Sequence, residues 1–178
     1  MKKLFYPVVA ALLLITSAFV SVTSQDWKID ESFSIKFTSK DPSGIFKVFT
    51  GAINFDENDL ASSRFDLSID VNSISMGNGM KNKKSLSPEW FDAEKYPTIK
   101  YTSSKVEKSG SGYMITGDLK IKGTSKQYKI PFDFKRSGES GKFTGSFDVN
   151  RMDFKIGKSS GAVPDIMKVD FSVPVNKK

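Results

Sequence analysis

The sequence predicts an all-β domain, because strand-like alternation recurs along it and no long amphipathic helix is present. Apolar and polar residues alternate in six segments, as expected of strands with one buried and one solvated face. These segments are 33–38, 65–71, 113–122, 128–135, 143–149 and 169–175. Without a helix layer, the apolar faces of the strands must cover one another, in a closed barrel or in a sandwich.

Short glycine-containing segments separate several of these strands and predict tight hairpins. They are residues 109–112, 123–124 and 137–141. Links of this length join antiparallel neighbours, since a parallel crossover needs about a dozen residues or more. Two further strands are predicted at 45–55 and 98–107, which brings the total to about eight.

Segment 45–55 is inconsistent in its alternation. Phe49, Ile53 and Phe55 fall on one face of a continuous strand, while Phe46 and Val48 fall on the other. Because a shift of one residue exchanges the buried and solvated faces, the register of this segment stays open at the level of the sequence.

Residues 73–97 lack strand alternation and predict a loop with a short helical segment around 80–94. The stretch 80–86 is suited to one helical turn or two. A Ser-Pro pair at 87–88 is typical of a cap followed by the first helical residue, which predicts a second short helix to the end of that segment.

The N-terminus has the composition of a secretory signal peptide. Lys2 and Lys3 precede an uncharged apolar stretch, and small polar residues follow it. Cleavage is expected after Ser24, leaving 25–178 as a single domain in the periplasm or outside the cell. The alternative is a membrane anchor, which the apolar length of about 17 residues and the interrupting Pro7 disfavour.

The residue inventory argues against most catalytic chemistry. The chain carries a formal charge of +7 and contains no His and no Cys. A Ser-His-Asp triad, a thiol nucleophile and the usual zinc ligands are therefore excluded. We expect no enzyme activity, no catalytic residues, no metal and no cofactor. Nucleic acid is not an expected partner of an exported protein with so mild a basic excess.

Phenylalanine is abundant, with 15 copies, and most of them fall on the apolar faces of predicted strands. Two interpretations stay open at this point. Phe on such a face usually belongs to a solid core. The alternative is a Phe-lined tunnel for a long, thin hydrocarbon, since an eight-stranded barrel is wide enough for packed side chains or one slender ligand.

Several motifs, in order and spacing, resemble the YceI-like family over residues 27–175. They are Trp27–Asp30 with Ser34–Phe37, Phe49–Asp56, Leu86-Ser87 with Trp90–Ala93 and Tyr96–Ile99, Gly117–Leu119 with Ile121–Thr124, and Asn150–Phe154 with Ile156-Gly157. Many members carry His shortly before the position of Leu86, where this chain has Ser85, so a role tied to that His does not carry over.

The resemblance implies an extended, lipocalin-like, eight-stranded antiparallel barrel that binds a polyisoprenoid-type lipid or an isoprenoid quinone along its axis. The lipid would be a ligand and not a cofactor. Lumen-lining side chains are expected to be Phe33, Ile35, Phe37, Ile53, Phe55, Leu67, Ile69, Trp90, Phe91, Ile99, Tyr101, Ile115, Leu119, Phe132, Phe134, Phe143, Phe147 and Phe154. Lys81, Lys83 and Lys84 are candidates for a mouth that touches membranes transiently.

Other functions remain open at this level. An outer-membrane barrel would need its apolar faces outward and a polar lumen. An enzyme acting on a lipid or glycan would have to work with carboxylates alone. A stress-related interaction module would use a solid barrel as a scaffold. The sequence leaves the oligomeric state open, a homodimer included.

Overall fold

A computed structural model describes residues 25–159 and 161–178, so the predicted signal peptide lies outside the described residues. Within this part of the chain, the strands are β1 Asp26–Ile29, β2 Ser34–Thr38, β3 Ser43–Phe46, β4 Phe49–Asn54, β5 Arg64–Asp70, β6 Ile74–Ser75, β7 Thr98–Ser109, β8 Gly112–Ile121, β9 Thr124–Ser137, β10 Ser140–Asn150 and β11 Ile166–Lys177. One α-helix, α1, spans Gly79–Leu86, and short 3₁₀ turns occupy Val71–Ser73 and Arg151–Phe154.

The strands form one antiparallel sheet that closes on itself. Strand β11 pairs with β10 along one edge and with both β2 and β1 along the other, where Trp27 lies opposite Lys177. Three pairs of consecutive strands each occupy a single strand position of the barrel, with an interruption between the two members. The pairs are β1 with β2, β3 with β4, and β5 with β6. The result is an eight-stranded up-and-down barrel. This confirms the predicted fold class and decides between barrel and sandwich.

The alternation of the sequence maps onto the two faces of this barrel. Apolar residues such as Ile115 and Leu119 are buried inside, whereas Lys120 and Lys129 are exposed on the outer face. This is the reverse of the arrangement that an outer-membrane barrel needs. Among the described residues, no helix combines the length and apolarity that a membrane span requires.

The register of segment 45–55 is resolved by a break in the strand. Between β3 and β4 the backbone leaves the ladder at Lys47 and Val48, where Lys47 N–H bonds to the Ser73 carbonyl and Val48 is 45% exposed. Phe46 and Phe49 can therefore both turn inward, at 8% and 7% exposure. These two inward-facing residues are three positions apart instead of two, because one extra residue bulges out of the hydrogen-bonded ladder between them.

The segment 73–97 forms one helix and then turns. Helix α1 is capped by Asn78, whose side chain accepts from Met80 and Lys81 N–H. The second predicted helix does not form, because the chain after Ser87 folds back onto the end of α1. Phe91 N–H bonds to the Ser85 carbonyl, and Asp92 takes a left-handed conformation with φ 51°. These turn hydrogen bonds back to the end of α1 override the Ser-Pro signal.

The connections divide between the two ends of the barrel. Residues 39–42, 71–97, 122–123 and 151–165 lie at one end, and the two long segments among them fold over it. Residues 55–63, 110–111 and 138–139 lie at the opposite end, together with β1's first residue. The two ends consequently differ in how much chain is available to cover or open them.

Candidate functional site

Two adjoining cavities lie inside the barrel. The outer cavity measures about 290 Å³ and lies under the long connections 71–97 and 151–165. The inner cavity measures about 130 Å³ and lies deeper in the barrel. Six side chains belong to the walls of both, so the two cavities adjoin one another: Ile35, Ile69, Ile99, Leu119, Phe147 and Val169.

The inner cavity is lined by aliphatic and aromatic side chains, with a single polar atom on its wall at Tyr101. That hydroxyl is already used, lying 3.3 Å from the Ile115 carbonyl oxygen and 3.4 Å from that of Tyr128. Burial raises the pKa of Tyr101 well above its ordinary value, and the nearby Asp118 carboxylate adds to the effect. The phenol therefore stays neutral, and the inner cavity offers only apolar contact to a ligand.

A solid aromatic cluster closes the barrel beyond the inner cavity. Phe55 is fully buried at its centre, with ring centroids 5.0 Å from Phe134, 5.1 Å from Tyr113 and 5.3 Å from Phe143. Trp27 is also fully buried and donates its indole N–H to the Phe55 carbonyl over 2.9 Å. The rings pack edge to face, and Phe55 and Trp27 are shielded from solvent at this end of the barrel. We call this cluster the closed end.

The polar side chains on the wall of the outer cavity all lie at the end away from the inner cavity. Several of the lining residues there are exposed, so this end of the cavity reaches the surface. We define this region as the mouth, formed by Asp41, Lys81, Lys84, Ser85, Trp90 and Arg151. Lys81 Nζ lies 2.9 Å from a carboxylate oxygen of Asp41, which joins α1 to the β2–β3 connection. Ser85 Oγ donates to the Asn82 carbonyl within the helix over 2.6 Å.

Arg151 fixes the connection 151–165 over the mouth. Its side chain is 2% exposed and donates to the backbone carbonyls of Ile156 at 2.7 Å, Val163 at 2.9 Å and Pro164 at 3.0 Å. An ion pair with Asp165 at 2.7 Å completes the arrangement. A buried guanidinium with this many acceptors is a structural anchor, so its charge is largely committed within the protein.

Trp90 occupies the rim between helix α1 and this anchored connection. Its ring centroid lies 5.9 Å from Lys84 Nζ and 5.8 Å from the Arg151 guanidinium carbon. Gly157 adopts φ 68°, and a Cβ there would come within 3.1 Å of the six-membered ring. The Trp90 indole N–H is the one buried side-chain nitrogen or oxygen in the described residues that lacks a hydrogen-bond partner.

Most side chains expected in the lumen line these cavities. The fourteen that do are Ile35, Phe37, Ile53, Leu67, Ile69, Trp90, Phe91, Ile99, Tyr101, Ile115, Leu119, Phe132, Phe143 and Phe147. Of the three lysines expected at the mouth, Lys81 and Lys84 lie on the cavity wall, whereas Lys83 points away from it and is exposed.

Four residues expected in the lumen lie elsewhere, which corrects their assignment. Phe55 and Phe134 belong to the closed end, where neighbouring rings surround them. Phe33 lies in the interruption between β1 and β2 and packs on Phe49, with the two ring centroids 5.5 Å apart. Phe154 is fully buried in the 3₁₀ turn after β10, with its ring 5.9 Å from Tyr128.

Other lining residues were not predicted from the sequence. Those on strands follow the alternation and could have been found by extending it: Phe49, Phe65, Ile121, Ile130, Val149, Met167, Val169, Phe171 and Val173. Those near the mouth have no periodic signal: Asp41, Pro42, Phe46, Ile74, Met76, Ser85, Arg151, Ile156 and Val163. Among the residues described, no group of three or more acidic side chains could hold a metal ion.

An eight-stranded barrel with one closed end and an apolar lumen defines a class of small barrels shaped to enclose a slender ligand. Within that class, the chain belongs to the YceI-like family, because the YceI-like domain matches residues 24–175. The match confirms the resemblance carried by the sequence motifs, and the barrel confirms the fold that the resemblance implied.

Individual relatives differ in how much of their length is matched. A UPF0312 protein of Enterobacter sp. (strain 638) is 28% identical, over 98% of this chain and 96% of its own. Protein YceI of Escherichia coli is 29% identical over 71% of this chain and 69% of that protein. For a UPF0312 protein of Photorhabdus laumondii, 37% identity extends over 47% of this chain and 43% of that protein, less than half of its length.

Solved structures share the architecture. BcnA of Burkholderia cenocepacia superposes with a TM-score of 0.79 at 28% identity, over 82% of this chain and 98% of BcnA. The YCEI protein of Campylobacter jejuni gives 0.71 at 24% identity, over 79% and 88%. A polyisoprenoid binding domain from Saccharophagus degradans gives 0.66 at 15% identity, over 85% and 98%. The last two similarities concern the fold alone.

Proposed function

We propose that this protein binds and carries a long-chain apolar lipid inside the barrel and performs no catalysis. The observation that carries the proposal is the pair of adjoining, largely apolar cavities between the mouth and the closed end. Lipid binding is also what the name of the Saccharophagus degradans domain states of that protein, as a polyisoprenoid binding domain. We extend that ligand class to this chain because the cavity is long, narrow and apolar.

The composition of the cavity walls supports binding over catalysis. General acid–base chemistry needs a titratable side chain placed beside the reacting atom. Among the described residues, Asp41 contributes the only carboxylate on the wall of either cavity, and it is 70% exposed at the mouth, where it is ion-paired with Lys81. Away from the mouth, the lining groups provide contact area and shape.

The cavity volumes limit the length of the ligand. At about 30 Å³ for each water-sized or methylene-sized group, cavities of about 290 and 130 Å³ hold on the order of 15 such groups. A polyisoprenoid longer than this would extend through the mouth. Because such a lipid leaves a bilayer and not water, the gain on entering the barrel is small, which suits reversible carriage.

Export and contact with a membrane surface belong to the same proposal. Cleavage after Ser24 would release residues 25–178 into the periplasm or the medium. At the mouth end, helix α1 carries Lys81, Lys83 and Lys84 and no acidic residue, and Met80 is 81% exposed. An exposed apolar side chain among lysines suits an anionic lipid surface, from which the ligand would enter the barrel.

The decisive experiment is mass spectrometry of organic extracts from protein purified without detergent. We expect one lipid class in stoichiometric amount, and its chain length should fall when Val169→Phe narrows the junction between the two cavities. Val169→Ile, which adds a single methylene, serves as the matched control and should leave the chain length nearly unchanged. A barrel that is consistently empty and cannot be loaded after delipidation contradicts the proposal.

Cell fractionation tests the location independently. Protein expressed with residues 1–178 should reach the periplasm or medium without the first 24 residues, as read by intact mass. A chain lacking residues 2–24 should stay in the cytoplasm and provides the control. Retention of the full-length mass in the membrane fraction would support the anchor instead.

A further inference from the structure

One junction of the barrel wall is only partly hydrogen-bonded. The ladder between β9 and β10 ends at the Phe132–Gly145 pair, although both strands continue toward the mouth. Among the described residues, no backbone pairing joins 124–131 of β9 to 146–150 of β10. We call this gap between the two strands the seam. Along it, β9 stays paired with β8 and β10 stays paired with β11, so the seam lies between two intact ladders.

A proline and a glycine account for where this ladder stops. Continuing the register by one residue places Pro131 opposite Ser146, and proline has no N–H to donate to the next ladder bond. A Cβ at Gly145 would lie 2.4 Å from the Pro131 carbonyl oxygen, so the two strands approach this closely only because residue 145 lacks a side chain. The seam therefore begins at this contact and runs to the mouth.

Aromatic side chains fill the seam in place of backbone hydrogen bonds. The Tyr128 ring on β9 lies 6.3 Å from the Phe147 ring on β10 and 5.9 Å from the Phe154 ring in the turn after β10. Tyr128 and Phe147 are only half-buried, whereas Phe154 is fully buried. Phe147 also lies on the walls of both cavities. These rings therefore form the barrel wall at the level where the two cavities adjoin.

An unpaired strand edge can also accept a strand from another chain, but the sequence of β9 argues against that use. Along the seam β9 carries Pro131 and the exposed Lys126 and Lys129, which are features that block strand addition in natural sheets. The gap is also occupied from within the molecule by the rings of Tyr128 and Phe147. The seam is therefore suited to opening and closing within one molecule.

Opening the seam requires less rearrangement than separating two paired strands. Parting β8 from β9 would break the backbone hydrogen bonds of a long ladder, whereas the seam needs only new rotamers of Tyr128 and Phe147. The closed end blocks the lumen, so a chain that enters strictly end-first must be threaded over the whole depth of the cavities. A slit that starts at the mouth lets the chain enter sideways over part of that depth.

We propose that the seam is a lateral slit, continuous with the mouth, through which the ligand chain passes on its way into and out of the cavities. Tyr128 and Phe147 are the side chains that close it. The inference rests on the lipid-binding function proposed above. It concerns the route of the chain, so it holds for any head group, and it places the barrier to both loading and release at the seam.

Cross-linking across the seam tests this route, and the absence of Cys from the chain makes engineered pairs specific. Lys129→Cys and Asp148→Cys are exposed positions that the continued register places opposite each other, and a bis-maleimide linker joins them. Asp148→Cys with Lys168→Cys, which lie opposite each other in the β10–β11 ladder, removes the same two charges and is the matched control. After intact mass confirms each cross-link, stopped-flow fluorescence measures the loading and release of cis-parinaric acid.

The seam cross-link should slow loading and release by about tenfold each and leave the Kd nearly unchanged, because blocking a route alters rates and not the bound state. The control cross-link should leave both rates close to those of the parent protein. Seam-locked rates equal to those of the control overturn the slit and leave lipid binding intact. If the parent protein takes up neither cis-parinaric acid nor a polyprenol, the proposed function itself fails.

Removing one ring of the seam should have the opposite effect. Tyr128 lies on neither cavity wall, so Tyr128→Ala should speed loading and release several-fold while changing the Kd little. Phe33→Ala is the matched control, because it deletes a half-buried ring, also off both cavity walls, at the interruption between β1 and β2. Rates that stay unchanged in Tyr128→Ala, or that rise equally in both variants, place the barrier elsewhere and overturn the proposal.

Discussion

The two ends of the barrel differ in how densely their side chains are packed. At the closed end, Phe55 and Trp27 are fully buried among other rings, and short connections seal the strands. At the mouth, Trp90 and Phe91 are only half-buried, beside a cavity that their neighbours do not fill. The closed end therefore stabilises the fold through dense packing. The mouth is packed less densely, which leaves room for the proposed ligand to enter.

Charge follows the same division. The closed-end connections 55–63 and 138–139 contain Asp56, Glu57, Asp59 and Glu139 and no basic residue. At the mouth, α1 carries three lysines and no acidic residue. The connections of the two ends thus differ in charge, although Arg136 pairs with Glu57 and Lys177 with Glu139 at the closed end, and we expect an anionic surface to favour the mouth. Stability and ligand access can be altered separately because they depend on different ends of one sheet.

The largest difference between the ends is expected from deleting an aromatic ring at each. Phe55→Ala should cost about 4 kcal/mol of unfolding free energy, since it opens a cavity in a fully buried cluster. Phe91→Ala should cost about 1 kcal/mol, because its ring is half-buried beside space that already exists. Urea denaturation of the delipidated proteins measures both values. Equal losses would mean that the mouth is as tightly packed as the closed end.

A smaller loss is expected from the one rigid element of the mouth. Arg151→Met removes the anchor of connection 151–165, leaves several carbonyls without their donor and takes the ion pair from Asp165, at a cost of about 2–3 kcal/mol. Amide hydrogen exchange should accelerate in 151–165 and stay unchanged around Phe55. Lys158→Met removes a positive charge from the same connection and should change little, because Lys158 is exposed. Uniform acceleration across the barrel would show that Arg151 stabilises the whole sheet.

The smallest expected effect is a pH dependence of stability caused by Tyr101, which lies inside the barrel between the two ends. Burial raises the pKa of Tyr101 above its ordinary value, so between the unfolded and folded pKa values the folded chain retains a proton that the unfolded chain releases. Stability is therefore lost as pH rises above about 10, by up to about 1.4 kcal/mol per pH unit. Tyr101→Phe should flatten this dependence in denaturation curves at alkaline pH. A phenol that titrates near pH 10 in the native protein would indicate a water-filled lumen.

Local pattern accounts for much of this molecule. Alternation in segments such as 113–122 and 128–135 predicted both the strands and their buried faces, since side chains on a strand alternate by covalent geometry. The short glycine-bearing links predicted antiparallel neighbours, because a link of this length cannot make a parallel crossover. Alternation could not separate lining residues from filling residues, because both face inward. Leu119 borders the cavity and Phe55 plugs the barrel, although their sequence signals are alike.

By itself, the sequence determined the strands, their inward faces, the absence of His and Cys chemistry, and the family to which the chain belongs. Only the tertiary structure decided that the sheet closes through β1 and β11, that one end is filled and the other open, and that Lys81 and Lys84 face the cavity while Lys83 does not. The physical reason is the sequence separation of the residues that determine each feature. Strand pattern depends on neighbours one or two residues apart, whereas closure, cavity and mouth depend on contacts such as Trp27 with Lys177 and Asp41 with Lys81, which no local signal encodes.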